Sequence, residues 1–253
     1  QWVKMACSLK QKKGRQAHQR VFVEGLRVIA DAAAMAIPDA ICFVSEKGRA
    51  LDGFEALYAR GLELGWTFYA VTDSVYDKLK DTRTPQGLAA MLPFFAYTFD
   101  SLPAIAPEKA VLYLRSIQDP GNLGTILRTA DAFECDGVFL VNACADLFNP
   151  KTARATMGAI FRREAYSVTP EELFALLSKS GVPLYGTALR EDTVPLSDAN
   201  LSKAAVAIGS EGRGLSQQML DECAKTLKIP MSPRCESLNA AIAATVVLWE
   251  MYR

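Results

Sequence analysis

Short apolar runs alternate with longer amphipathic stretches along the whole chain. In its first part, Val21-Phe22-Val23, Ile41-Cys42-Phe43-Val44, residues 66–71 and residues 88–95 read as strands, while 26–37 and 54–64 carry apolar side chains at helical spacing. Alternation of this kind predicts a small α/β layer domain. From 110 onward the runs become apolar on both faces. Residues 110–114, 137–141, 183–186 and 204–208 suit a parallel sheet buried under helices, with helices predicted at 123–133, 170–180, 216–224 and 238–252. Between the two patterns, Pro103 and Pro107 interrupt any helix. The expected division is a first domain at 1–98, a linker at 99–108 and a second domain at 109–253.

Half of the 253 residues are hydrophobic and 22% are charged, which supports globular domains with sizeable cores. No run approaches the roughly 18 apolar residues of a membrane span. The first residues lack the order of a signal peptide, so a cytoplasmic address is expected. The six cysteines show no C-x-x-C spacing and the chain has one histidine, His18, so no metal cluster is expected. Net charge is zero, yet residues 1–30 carry seven lysines and arginines against Glu24 alone. Lys10, Lys12, Lys13 and Arg15 therefore form either an RNA-facing footprint or a solvated helix face.

Three segments, each after a predicted strand, hold the candidate chemistry, since open α/β sheets bind ligands at strand ends. Asp119-Pro120-Gly121-Asn122 turns into a helix bearing Arg128, six residues after Asn122 and expected not far from the same helical face. Gly209-Ser210-Glu211-Gly212-Arg213-Gly214 is glycine-rich but lacks P-loop and dinucleotide spacing. Its glutamate would repel phosphate and conflicts less with a sulfonium ligand. The third, 229–239, is a proline-bracketed loop running into the last helix, where Ser237 or Glu236 is the expected cap and Asn239 is expected inside the first turn.

In this order and spacing the three segments resemble the signature motifs of the SpoU (TrmH-type) branch of the SPOUT RNA methyltransferases. The resemblance covers 109–253 and includes the stretch from Asn149-Pro150-Lys151 through Arg154 to Gly158 and Ala159. More loosely, Val21-Phe22-Val23-Glu24-Gly25 and Thr84-Pro85-Gln86-Gly87 are similar to a substrate-binding α/β/α sandwich related to kink-turn-binding ribosomal proteins. The resemblance implies a trefoil-knot catalytic domain, a homodimer, S-adenosylmethionine as cofactor and RNA as partner, ribosomal RNA before transfer RNA. It implies cofactor contacts from Thr187, Ala188, Gly209, Ile229 and Leu238, and a catalytic set of Asn122, Arg128, Glu211, Ser237 and Asn239, with Arg154 added to the RNA-facing residues. No metal is required. Glu134 stands where the family usually has glycine. A catalytically silent RNA-binding or assembly protein is the alternative from another class, and a NAD enzyme is disfavoured by the glycine spacing.

Overall fold

Strands here are built from β-branched and aromatic residues whose side chains alternate across the pleat, and both faces of each sheet are covered. The computed structural model describes residues 1–94, 97–98, 111–141, 144–191, 193–210, 212–235 and 237–253. The chain divides into two compact units, Gln1–Phe95 with Asp146–Arg162, and Ala96–Ala145 with Arg163–Arg253. The expected linker at 99–108 lies outside the described residues.

The first unit contains β1 (Arg20–Glu24), β2 (Ile41–Val44), β3 (Thr67–Ala70) and β4 (Leu88–Pro93) in the order β1-β4-β2-β3. The β2–β3 pair is parallel and the other two pairs are antiparallel. Val21, Val23, Cys42, Val44, Leu88, Ala90 and Leu92 pack on one face with the helices Leu26–Ala34 and Phe54–Glu63. Phe22, Ile41, Phe43, Ala89 and Met91 pack on the other with Ala6, Leu9, Tyr76 and Leu79. The predicted strands are present with ends moved by one or two residues. The basic start of the chain forms two short helices, Trp2–Ser8 and Lys12–His18, which no long apolar period announces.

The stretch 146–162 packs with this first unit, although the sequence division places it in the second domain. Phe148, Ala153, Ile160 and Phe161 join the Val21–Leu88 face of the core. Three ion pairs reinforce the packing: Arg15–Asp146 at 2.5 Å, Arg154–Asp81 at 2.5 Å and Arg162–Asp31 at 3.4 Å. Gly158 has φ +86°, and a Cβ there would lie 1.8 Å from Asp31 Oδ2. Periodicity could not reveal this, because packing across the chain rather than local pattern assigns the segment.

The second unit contains β5 (Tyr97–Thr98), β6 (Val111–Arg115), β7 (Gly137–Val141), β8 (Ala165–Ser167), β9 (Leu184–Thr187), β10 (Val194–Pro195), β11 (Ala205–Ile208) and β12 (Lys225–Lys228). Their order is β10-β12-β9-β11-β6-β7-β8-β5, and the described pairs are parallel. Every residue of β7 and β11 is buried, as the doubly apolar runs require. The α/β fold with a helix-flanked parallel sheet is the one expected. No helix among the described residues is long and apolar enough to cross a membrane.

Candidate active site

Parallel strands end on the same edge of a sheet, so loops leaving neighbouring strands gather there. β12, β9, β11 and β6 are consecutive neighbours. Their ends lead into 229–239, Thr187-Ala188, 209–215 and 116–122. All three motif segments and the Thr187 strand end therefore converge on one edge of the second unit.

Thr187, Ala188, Ile229 and Leu238 line a single cavity of about 150 Å³, together with Leu189, Leu196, Leu227, Met231, Ala243 and one charged residue, Lys228. Four of the five expected cofactor residues are thus brought together. No acidic side chain lines the cavity among the described residues. Leu189 and Met231 are exposed and leave its rim open. Thr187 is held by its hydroxyl, which donates to the Ala207 carbonyl at 3.0 Å. Sequence reasoning missed Leu196, Leu227 and Met231, whose only signal was apolar character beside a strand end.

Gly209 is the fifth residue and does not line that cavity. A Cβ on it would lie 2.2 Å from the backbone carbon of Gly214, where Ser210 and Gly214 exchange backbone hydrogen bonds of 3.3 and 3.0 Å. Closure of this turn onto itself accounts for the glycine. Glu211 lies outside the described residues, as does Glu236.

Asn122 and Asn239 meet. Asn239 Nδ2 donates to Asn122 Oδ1 at 3.1 Å, while Asn239 Oδ1 accepts from the backbone N–H groups of Ala241 and Ile242. Asn239 is therefore the N-cap of the last helix, Ala240–Tyr252, rather than a residue inside it, and this corrects the expected cap at Ser237 or Glu236. An asparagine caps well because its side-chain oxygen satisfies otherwise orphaned N–H groups. Ser237 is exposed two residues earlier. On the other side, Asp119 caps the helix Pro120–Ala132 by accepting from Asn122 N at 2.9 Å, with Pro120 in its first turn. The two helices touch again at Thr129 and Thr245, whose hydroxyls are 3.5 Å apart. Arg128 sits on the first of them, exposed, with no hydrogen-bond or ion-pair partner among the described residues. At roughly 100° per residue it lies about 120° round the helix from Asn122, so the two diverge rather than share a face.

The expected RNA-facing set needs correction. Arg15 is 2% exposed, donates to the Leu9 carbonyl at 2.7 Å and pairs with Asp146, so it is a core group of the first unit. Lys10 Nζ donates to the carbonyls of Lys78 and Lys80 at 3.3 and 2.8 Å, where the helix Asp73–Leu79 ends with unsatisfied acceptors. Arg154 is engaged by Asp81. Lys12 and Lys13 are exposed. Charge composition could not separate these roles, since a paired and a free cation look alike in a sequence.

Comparison with known proteins agrees with this geometry. The SpoU rRNA Methylase family model matches residues 109–249, and an MRM3-like substrate binding domain model matches residues 1–90. A Bacillus subtilis relative named 23S rRNA (guanosine(2553)-2′-O)-methyltransferase RlmP is 34% identical over 198 residues, covering 75% of this chain and 74% of the relative. A Synechocystis protein named an uncharacterized tRNA/rRNA methyltransferase is 33% identical, covering 99% and 90%. The crystal structure of an AdoMet-bound rRNA methyltransferase from Sinorhizobium meliloti superposes with a TM-score of 0.87 at 28% identity, covering 98% and 93%.

Proposed function

We propose that this chain, which belongs to the SpoU rRNA Methylase family, transfers a methyl group from S-adenosylmethionine to a ribose 2′-hydroxyl of ribosomal RNA. One observation carries the reading: Leu238 lines the strand-end cavity, and the next residue, Asn239, caps the last helix and bonds Asn122 of the first motif. A cofactor pocket and a polar pair from two separate motifs are thereby joined through one dipeptide. The relatives' names supply the substrate class.

The residues present fit the cofactor. The aliphatic walls and strand-end backbone at Thr187, Ala188, Ile229 and Leu238 would hold an uncharged nucleoside face, and no lining carboxylate is needed for recognition through backbone groups. The enclosed volume takes part of such a ligand, and the open rim at Leu189 and Met231 takes the rest. When bound, S-adenosylmethionine supplies an electrophilic methyl on its sulfonium.

The chain's own residues position the other reactant. The chain's one histidine, His18, belongs to the first unit, so none in the second serves as a base. Arg128 makes a poor base, because an arginine guanidinium donates hydrogen bonds and accepts none. Its role is electrostatic: it stabilises charge developing on the ribose oxygen and orients the nucleotide. Asn122, Glu211, Ser237 and Asn239 complete the set that fixes the nucleotide, with the Asn122–Asn239 bond keeping the two motif helices in register. Arg128→Ala should abolish transfer while S-adenosylmethionine binding, read by calorimetry, stays within about twofold. An active variant would contradict this role.

The same reading includes a homodimer, the knotted path of the second domain, a boundary at 99–108 and a cytoplasmic address. The dimer has its own support. The last helix is apolar almost all round, and Ile242, Trp249 and Tyr252 remain half exposed, with the Phe133 ring edge-on to Trp249 and tilted against Tyr252. Such a face calls for a covering partner. Sedimentation should give twice the chain mass, and Trp249→Glu should give the monomer.

A further inference from the structure

The first unit has a cleft that the methyl-transfer reading does not use. It opens at the carboxyl ends of the parallel strands β2 and β3, at Val44 and Ala70, and encloses about 250 Å³. Its walls are aromatic. Phe54 and Tyr58, one turn apart on the helix Phe54–Glu63, stack at 5.9 Å, and Phe68 meets the Tyr58 ring edge-on at 4.8 Å. This wall is built into the fold: a Cβ on Gly61, in the last turn of that helix, would lie 2.6 Å from the Phe68 ring and 2.9 Å from Trp66. A glycine there costs helix stability, and what it permits is the seating of these rings.

Two charged groups stand at the cleft, Arg49 and Glu55. Both are exposed, and neither has a hydrogen-bond or ion-pair partner among the described residues. They do not neutralise each other. Tyr58 is 38% exposed. A partly exposed tyrosine beside an unpaired guanidinium is the combination that captures single-stranded RNA, with a base packed on the ring and a phosphate on the arginine. A volume of about 250 Å³ has room for one base. Glu55 accepts hydrogen bonds only: an exocyclic amine at the ring edge reaches it freely, whereas uracil's one base donor, N3–H, lies between two carbonyl oxygens that repel the carboxylate, so an amine-bearing base is favoured.

We propose that this cleft binds one unpaired, amine-bearing nucleobase of the RNA, its ring on Tyr58, its amine toward Glu55 and its phosphate on Arg49. The proposal rests on RNA being the substrate and adds a recognition subsite remote in sequence from the motif residues.

The test measures fluorescence anisotropy of the full chain with labelled oligocytidylate and oligouridylate of roughly ten nucleotides. Wild type should bind oligocytidylate several-fold more tightly. Tyr58→Leu and Arg49→Gln should each weaken binding by about tenfold, Tyr58→Phe should retain it, and Glu55→Ala should erase the preference. Thermal unfolding shows which variants remain folded. A folded Tyr58→Leu with unchanged affinity would overturn the cleft assignment, as would equal affinity of wild type for the two oligomers. These readouts need no methyl transfer. A wild type that binds as expected but methylates no RNA would sink the catalytic reading and leave the cleft standing.

Discussion

Asn239 carries two jobs, and its substitutions should show both. It caps a helix and bonds Asn122. Asn239→Ala should therefore lower stability by about 1–2 kcal/mol in denaturant unfolding, whereas Asn122→Ala, which keeps the cap, should cost less. Equal losses would show that the cap contributes nothing. The thiols separate in the same residue-by-residue way. Burial pushes Cys42 up to about 12, and Cys135 and Cys223 to about 11, while Cys235 is exposed. A raised pKa keeps a thiol protonated and unreactive until the pH climbs toward it. Alkylation at pH 8 should label Cys235 first and spare Cys42 and Cys135, and rapid labelling of Cys135 in the folded protein would contradict the packing described.

Among elements, the helix Pro120–Ala132 shows how a local departure from the family pattern is accommodated. Glu134 has φ +50°, and the Cys135 N–H bonds the Ala130 carbonyl at 2.9 Å, the pattern that normally ends in glycine. A side chain there costs roughly 1–2 kcal/mol, part of which glycine's own chain entropy offsets. Glu134→Gly should raise stability by about 1 kcal/mol, and a lower melting temperature would refute the strain. Most elements were legible from the chain because burial on both sheet faces writes itself as apolar runs. The buried strands 137–141 and 205–208 and the capped helix 170–180 are examples. The short helices at 2–8, 12–18 and 150–155 were not, since fewer than three turns carry too little period. At the site, motif order pointed to Asn122, Ile229 and Leu238, and the end of a strand to Thr187. The capping role of Asn239 was not, and neither was the burial of Arg15, because both depend on partners distant in sequence. That burial gives its own expectation. Arg15→Ala should cost about 3 kcal/mol by stranding Asp146, yet leave the salt slope of RNA binding unchanged, whereas Lys12→Gln with Lys13→Gln should flatten it.

For the whole molecule, the proposed roles fall to different units: the second carries the strand-end cavity proposed for the cofactor, and the first carries exposed cations and the aromatic cleft proposed for RNA. The chemical position of the transferred methyl defines the reaction. Ribosomal RNA incubated with the enzyme and methyl-tritiated S-adenosylmethionine, then hydrolysed in alkali, decides it, because a methylated 2′-oxygen cannot attack the adjacent phosphate. The label should appear in alkali-stable dinucleotides with wild type and vanish with Arg128→Ala. Label recovered only in mononucleotides, as a base methyl would give, would contradict the account.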